Sequence, residues 1–292
     1  MLTKIVIYIL LYPLSLLPMN VLYAIGKFIR FFLYHIFSYR LKVVRANLKN
    51  AFPDANQTFL SHIEKKYYTH LCHLFVEGIK MLSISRKKIM KRYTCKNPEL
   101  VNQYYDAGKS VILLSSHYNN WEWMVLSLAM QFKHHGVGVG KENSNKSFEK
   151  TINIFRTRYG TEVIFAKTIR DAFKKYDEQQ KLTVYMMLCD QAPGSTKNPF
   201  VIPFLNQPSD MIYGGEYFAR KYNYPVVYYV VKKTKRGYYE VELELITDNP
   251  QKTTYGDIIH SYVQLLERDI LNEPAYWLWS HKRWKHKLEL SK

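Results

Sequence analysis

Apolar residues are distributed along this chain in two ways. From Ile5 to Gly26, IVIYILLYPLSLLPMNVLYAIG, no charged residue occurs, and a run of that length can cross a hydrocarbon core as a helix. Pro13 and Pro18 lie within it. They predict either a kinked spanning helix or a broken segment that enters or lies on one leaflet, because proline removes a helical hydrogen bond and clashes with the preceding turn. A signal peptide fits poorly, since only Lys4 precedes the run and no small-residue cleavage pattern comes before Lys27 and Arg30. The basic residues downstream (Lys27, Arg30, Arg40, Lys42, Arg45 and Lys49) outnumber Lys4 and place the body of the protein on the cytoplasmic side. The expected division is residues 1–37 as a membrane-anchoring segment and 38–292 as a second domain.

Beyond this segment the pattern changes to short apolar strings separated by helical periodicity. Residues 40–53 read as a basic amphipathic helix stopped by Pro53, and Leu60–Leu82 as a helix with apolar residues at helical spacing. His73 and Glu77 share one face of that helix and read as a surface pair. The basic run SRKKIMKR, Ser85–Arg92, reads as a solvated face, with contact to an anionic membrane as the alternative. A short helix near Pro98–Ala107 leads to a buried strand at Ser110–Ser115 and a helix at Trp121–Phe132, with Asn119 or Asn120 as its N-cap. Helices follow near Lys146–Tyr159 and Thr168–Tyr176, separated by the short run Glu162–Phe165, and then comes a buried strand at Leu182–Cys189. Pro193–Pro208 reads as loop-rich, Tyr213–Tyr222 as helix, and Pro225–Val231 and Tyr238–Ile246 as strands around a turn at Arg236–Gly237. The last helix is expected over Tyr255–Leu271. Strands alternating with helices predict an α/β fold, a mostly parallel sheet flanked by helices with a hairpin at one edge.

Composition narrows the partners. The 292 residues include 42 Lys and Arg against 24 Asp and Glu, a formal charge of +18, which favours an anionic partner: nucleic acid, an acidic lipid surface or an acidic carrier. Aromatic residues make up 15%, with 25 Tyr, and rings with a polar edge suit a membrane interface. The C-terminal WLWSHKRWKHK interleaves Trp with cations. Such mixtures occur in nucleic-acid binders and at headgroup level; with the apolar N-terminal segment, the membrane reading is preferred. Cys72, Cys95 and Cys189 lack metal or disulfide spacing, and Cys189 reads as a core residue. The paired histidines, His134 with His135 and His281 with His286, form no ligand set, so no metal site is expected.

The chemistry concentrates where the strand Ser110–Ser115 gives way to a helix. His117 stands at the strand end and Glu122 in the first helical turn, the place where open α/β sheets gather functional groups. A histidine whose one ring nitrogen is held by a carboxylate can take a proton from a hydroxyl with the other. The string HxxxxE alone has little specificity.

The surrounding motifs add to it. HYNNWE, Arg-x-Arg in FRTRYG, DQAPG, FVIPFLNQPSDMIYGGEYFARKYNYPVV and PAYWLWSHKRWK, together with the early YRLKVVRANLKNAFP, resemble in order the motifs of the bacterial lipid A biosynthesis (late) acyltransferases. That family belongs to the lysophospholipid-acyltransferase-like superfamily. The resemblance covers nearly the whole chain and implies a glycerolipid-acyltransferase-like fold at the inner membrane, cytoplasmic face. It implies His117 as general base and Glu122 as its partner. The reaction implied is transfer of an acyl group from an acyl carrier protein thioester to a hydroxyl of a lipid A precursor, with no further cofactor. Backbone N–H groups near Asn120 and the side chains of Arg158 or Arg156 are candidate oxyanion donors, the family pattern favouring Arg158. Asp190 and Gln191 are expected to support or position substrate. Asn119 departs from the family's usual Gly. Partners implied are acyl carrier protein, an anionic membrane lipid and the precursor, with no nucleic acid. The alternatives are another phospholipid, aminolipid or glycolipid as acceptor, or a non-enzymatic basic membrane or nucleic-acid binder.

Overall fold

The computed structural model describes residues 2–194, 199–285 and 288. The N-terminal arm is helical in pieces: α1 (Leu2–Ile5), a π-helical stretch Val6–Leu11, α2 (Tyr12–Leu16), α3 (Met19–Phe31) and a second π-helical stretch Phe32–Ile36. The break falls at Leu17–Pro18, whose extended backbone ends one helix and starts the next. No single helix among the described residues is long and apolar enough to cross a membrane; one bent pair, Met19–Ile36 with Leu41–Ala51, meets the length and composition at 85°. Pro18 thus coincides with a break between helices, while Pro13 lies in the first turn of α2.

Three helices follow: α4 (Leu41–Ala51), α5 (Gln57–Met81), capped by Asn56 accepting from Phe59 N at 2.9 Å, and α6 (Arg86–Arg92). The remaining elements are β1 (Tyr93–Cys95), α7 (Glu99–Asp106), β2 (Val111–Ser115), α8 (Trp121–Gln131), β3 (His135–Gly140), α9 (Lys146–Thr157), β4 (Glu162–Phe165), α10 (Ile169–Glu178) and β5 (Thr183–Leu188). Then come β6 (Val201–Phe204), β7 (Gln207–Asp210), α11 (Gly214–Tyr222), β8 (Val226–Lys235), β9 (Tyr238–Thr247) and α12 (Asp257–Asn272).

The main sheet has seven strands in the order β1-β9-β8-β2-β5-β3-β4, and only the β8–β9 pairing is antiparallel. The mostly parallel α/β fold is as predicted, with one difference in the hairpin. β1 pairs outside β9 and covers what was expected to be the edge. Alternate residues of the central strands enter two separate cores. Ile112, Leu114, Tyr185, Met187 and Tyr228 pack with residues of α10, α11 and α12, while Val111, Leu113, Val184, Met186, Val227 and Tyr229 pack with α8. Burial on both faces explains why these strands read as continuous apolar runs.

Besides β1, two strand regions escape the sequence reading. β3, HGVGVG, lies between β5 and β4, and its glycines carry no side-chain signal. A Cβ at Gly136 would sit 3.0 Å from the backbone N of Ala129 in α8, so glycine here lets helix and strand approach closely. The stretch read as loop-rich contains the antiparallel ribbon β6–β7.

Candidate active site

β2 and β5 are neighbours in parallel register, Ser115 opposite Leu188, so the residues just after each strand emerge side by side. That places His117 against Asp190. His117 Nδ1 lies 2.8 Å from Asp190 Oδ1, and the His117 backbone N–H donates to Oδ2 at 3.0 Å. Trp277 Nε1 donates to the same Oδ2 at 2.8 Å. Asp190 is fully buried. Burial alone raises its pKa, but the charge of His117 and the hydrogen bonds from His117 and Trp277 outweigh it and hold the carboxyl below its usual range. The pair therefore fixes Nδ1 of the ring as the donor and leaves Nε2 for a substrate. The His117 side chain is 18% exposed, with the Trp121 ring 5.4 Å away in an edge contact.

The loop that carries His117 is held at every step. Ser115 Oγ donates to Tyr229 O, and Ser115 O accepts from Tyr262 Oη at 2.8 Å and Cys189 N at 3.1 Å. Asn119 has φ 58°, a left-handed conformation that glycine and asparagine adopt most readily. Its Nδ2 donates to Val231 O and its N–H to Tyr276 O. Asn120 is the N-cap of α8: its Oδ1 accepts from Trp123 N at 2.9 Å, and its Nδ2 donates to Glu77 Oε2 at 2.7 Å.

Glu77 is not the surface residue its sequence pattern suggested. It is fully buried and also accepts from Tyr23 Oη and Tyr239 Oη, each at 2.7 Å. Burial raises its pKa, opposed by these donors and by Asn120. The carboxylate thus joins the N-terminal arm, α5, β9 and the cap of α8.

The family model described as bacterial lipid A biosynthesis acyltransferase matches residues 2–286, almost the entire chain. The chain belongs to that family. Among curated proteins none matches it. This lipid A acyltransferase is thus an O-acyltransferase of lipopolysaccharide biosynthesis, in a family whose members are typically membrane associated.

Several residues expected at the acyltransferase centre have other partners. Glu122, in the first turn of α8, does not bond His117; it forms a two-pronged ion pair with Arg156, Nε to Oε2 at 2.7 Å and Nη2 to Oε1 at 2.5 Å. The carboxylate on the His117 ring is instead Asp190, a contact between distant parts of the chain that local spacing cannot reveal. Arg158 donates to Met81 O at 2.6 Å, Leu82 O at 3.2 Å and Ile84 O at 2.5 Å, closing the carboxyl end of α5. Gln191 is half-buried beside Asp190.

The Trp-rich segment, read as a membrane-surface motif, also contributes to the core. Trp277 and Trp279 are buried, and Trp284 Nε1 donates to Ser209 Oγ at 2.8 Å. Tyr118 pairs with Trp277 as an isolated bridge, so this segment closes over the His117 loop. His281 Nε2 accepts from Ala192 N at 3.2 Å, and its pKa falls to about 4, chiefly through burial. Arg283, buried, donates to Asp210 O at 2.8 Å. His286 lies outside the described residues. Burial pushes the Cys189 thiol pKa up, consistent with a core residue. No cluster of three potential metal ligands occurs among the described residues.

Proposed function

We propose that this lipid A acyltransferase moves a fatty acyl group from an acyl carrier protein thioester to a hydroxyl of a lipid A precursor at the cytoplasmic face of the inner membrane. His117 is the general base. The observation that carries this reading is the His117–Asp190 pair, a ring held at Nδ1 by a buried, ionised carboxylate at the ends of two parallel strands. Nε2 takes the proton of the acceptor hydroxyl as its oxygen attacks the thioester carbonyl. Asp190 steadies the resulting imidazolium. The tetrahedral intermediate then collapses, the carbon–sulfur bond breaks, and the imidazolium proton goes to the leaving thiolate. The products are an ester and a free carrier thiol, and no metal or other cofactor enters.

The oxyanion needs donors aimed at it. Among the described residues no acceptor bonds the N–H groups of Trp121 or Glu122 at the start of α8, whereas Arg158 would have to release three carbonyls to serve. The N–H groups are therefore the assigned donors. Glu122, clamped by Arg156, acts as a fixed polar wall that orients the acceptor, and Gln191 contributes to positioning. Residues 1–37 form the membrane-contacting segment and 38–292 the acyltransferase domain. Support for the membrane contact comes from the arm's outward apolar residues, including Ile9 at 71% and Phe28 at 66% exposed.

The test is a purified assay with acyl carrier protein and coenzyme A thioesters of several lengths, followed by mass spectrometry of the acceptor. His117→Ala is expected to reduce transfer by at least roughly 100-fold with unchanged membrane recovery. Near-normal turnover by that variant would overturn the assignment.

A further inference from the structure

Away from His117, a cavity of about 410 Å³ opens between α3, α5 and the β8–β9 turn. Its volume lies within the roughly 300–1,000 Å³ usual for small-molecule pockets. Its lining includes Asn20, Lys27 and Arg30 from α3, Thr69 and His73 from α5, and Arg236 from the turn.

The charge in this cavity has one sign. No carboxylate lies within ion-pair distance of Lys27, Arg30 or Arg236 among the described residues. Arg236 stacks over the Tyr23 ring at 4.7 Å, which occupies its face and leaves its N–H fork available. Gly237, at φ 72°, makes this possible: a Cβ there would sit 2.3 Å from Tyr23 Oη. The His73 pKa falls to about 4, first through burial and then through the positive charges of Lys233 and Arg236. Its Nδ1 is enclosed with no hydrogen-bond partner. Uncompensated guanidinium groups converging with an ammonium on a cavity that also offers neutral polar groups match the oxygens of a phosphate.

The surroundings indicate what carries that phosphate. Val21, Phe28 and Phe31 are exposed on the neighbouring face of α3, one residue along from Asn20, Lys27 and Arg30. An anionic group in the cavity would thus lie beside an apolar strip, the arrangement of a lipid headgroup and its chains.

We propose that this cavity binds the phosphate of a membrane lipid headgroup, at a site distinct from the acyl-transfer centre. The inference rests on the membrane-surface placement of the arm. It also places an occupied headgroup next to Tyr23, whose hydroxyl bonds Glu77 and through it the Asn120 cap of α8.

The full chain is tested by sedimentation with phosphatidylcholine vesicles and with vesicles containing phosphatidylglycerol. The wild-type protein is expected to prefer the anionic vesicles. Arg30→Gln with Arg236→Gln should lose roughly 10- to 30-fold in affinity for them, while keeping its affinity for the neutral ones. Arg170→Gln with Lys174→Gln, exposed positions on α10 near the far edge of the sheet, removes the same charge and should change binding less than threefold. Ala24→Phe fills the cavity without altering charge, so it should reproduce the loss even where the double variant folds poorly. Equal losses in the cavity and α10 variants, or no loss in either, overturn the proposal as diffuse attraction. Failure of the wild type to bind either vesicle overturns the membrane placement itself. Selective release from anionic vesicles by submillimolar inorganic phosphate, relative to chloride of equal ionic strength, would reassign the cavity to a free ion.

Discussion

A histidine works as a base only while the proton on its other nitrogen stays put, and in the proposed mechanism that condition rests on one carboxylate. Asp190 is buried, doubly engaged by His117 and tied to Trp277. Asp190→Asn keeps the shape but removes the charge and allows the wrong ring tautomer. By analogy with the same change in a Ser-His-Asp triad, kcat should fall roughly 10⁴-fold; a loss under tenfold would remove Asp190 from the reaction. His117 was legible in the sequence because it ends an apolar strand, and Asp190 because it ends another. Their pairing was not. Local spacing points to the nearer carboxylate, Glu122, whereas register between β2 and β5 sets Asp190 against the ring. Asn119, by contrast, is explained once its backbone is seen: its left-handed φ of 58° is what the family's usual glycine would adopt.

At the level of elements, what could be read depended on side-chain contrast. β2, β5 and β8 are strongly apolar and legible as strands; β3 alternates with glycine and is not, although it is internal to the sheet. Its importance is testable. Gly136→Val would push a branched side chain into the backbone of α8, where a Cβ alone already meets Ala129 N at 3.0 Å. The expected cost is about 1–3 kcal/mol, read as a lower midpoint in denaturant titration, with Gly140→Ala, where a Cβ meets nothing within 4 Å, as the control. If both variants unfold at the same denaturant concentration, helix and strand are not in the contact described. The Trp-rich segment shows the opposite difficulty. Aromatic residues mixed with cations fit a membrane surface, a nucleic-acid groove or a core, and only tertiary packing shows that Trp277 and Trp279 belong to the core.

For the molecule as a whole, half-buried histidines shape the response to acid. The pKa values of His73 and His281 fall to about 4, against about 6.5 in an unfolded chain. Between those values the unfolded state binds protons that the folded state does not, so stability rises with pH across that window and falls as the solution is acidified from pH 6.5 towards 4. Asp190, with its pKa held below the usual carboxylate range, keeps its contribution above an unfolded pKa of about 3.9 and loses it only at lower pH. Thermal melts between pH 7 and 5 should show the decline, and His281→Gln should flatten it. An unchanged slope in that variant would show that His281 is protonated equally in both states.

The contact between Trp277 and Asp190 also fixes an order of events during synthesis. A ribosome releases the hydrophobic arm first, then the strands bearing His117 and Asp190, and only much later the indole that completes the carboxylate's surroundings. Under the proposed membrane contact, translation arrested between β5 and Trp277 would leave a docked protein that lacks the indole donor to Asp190.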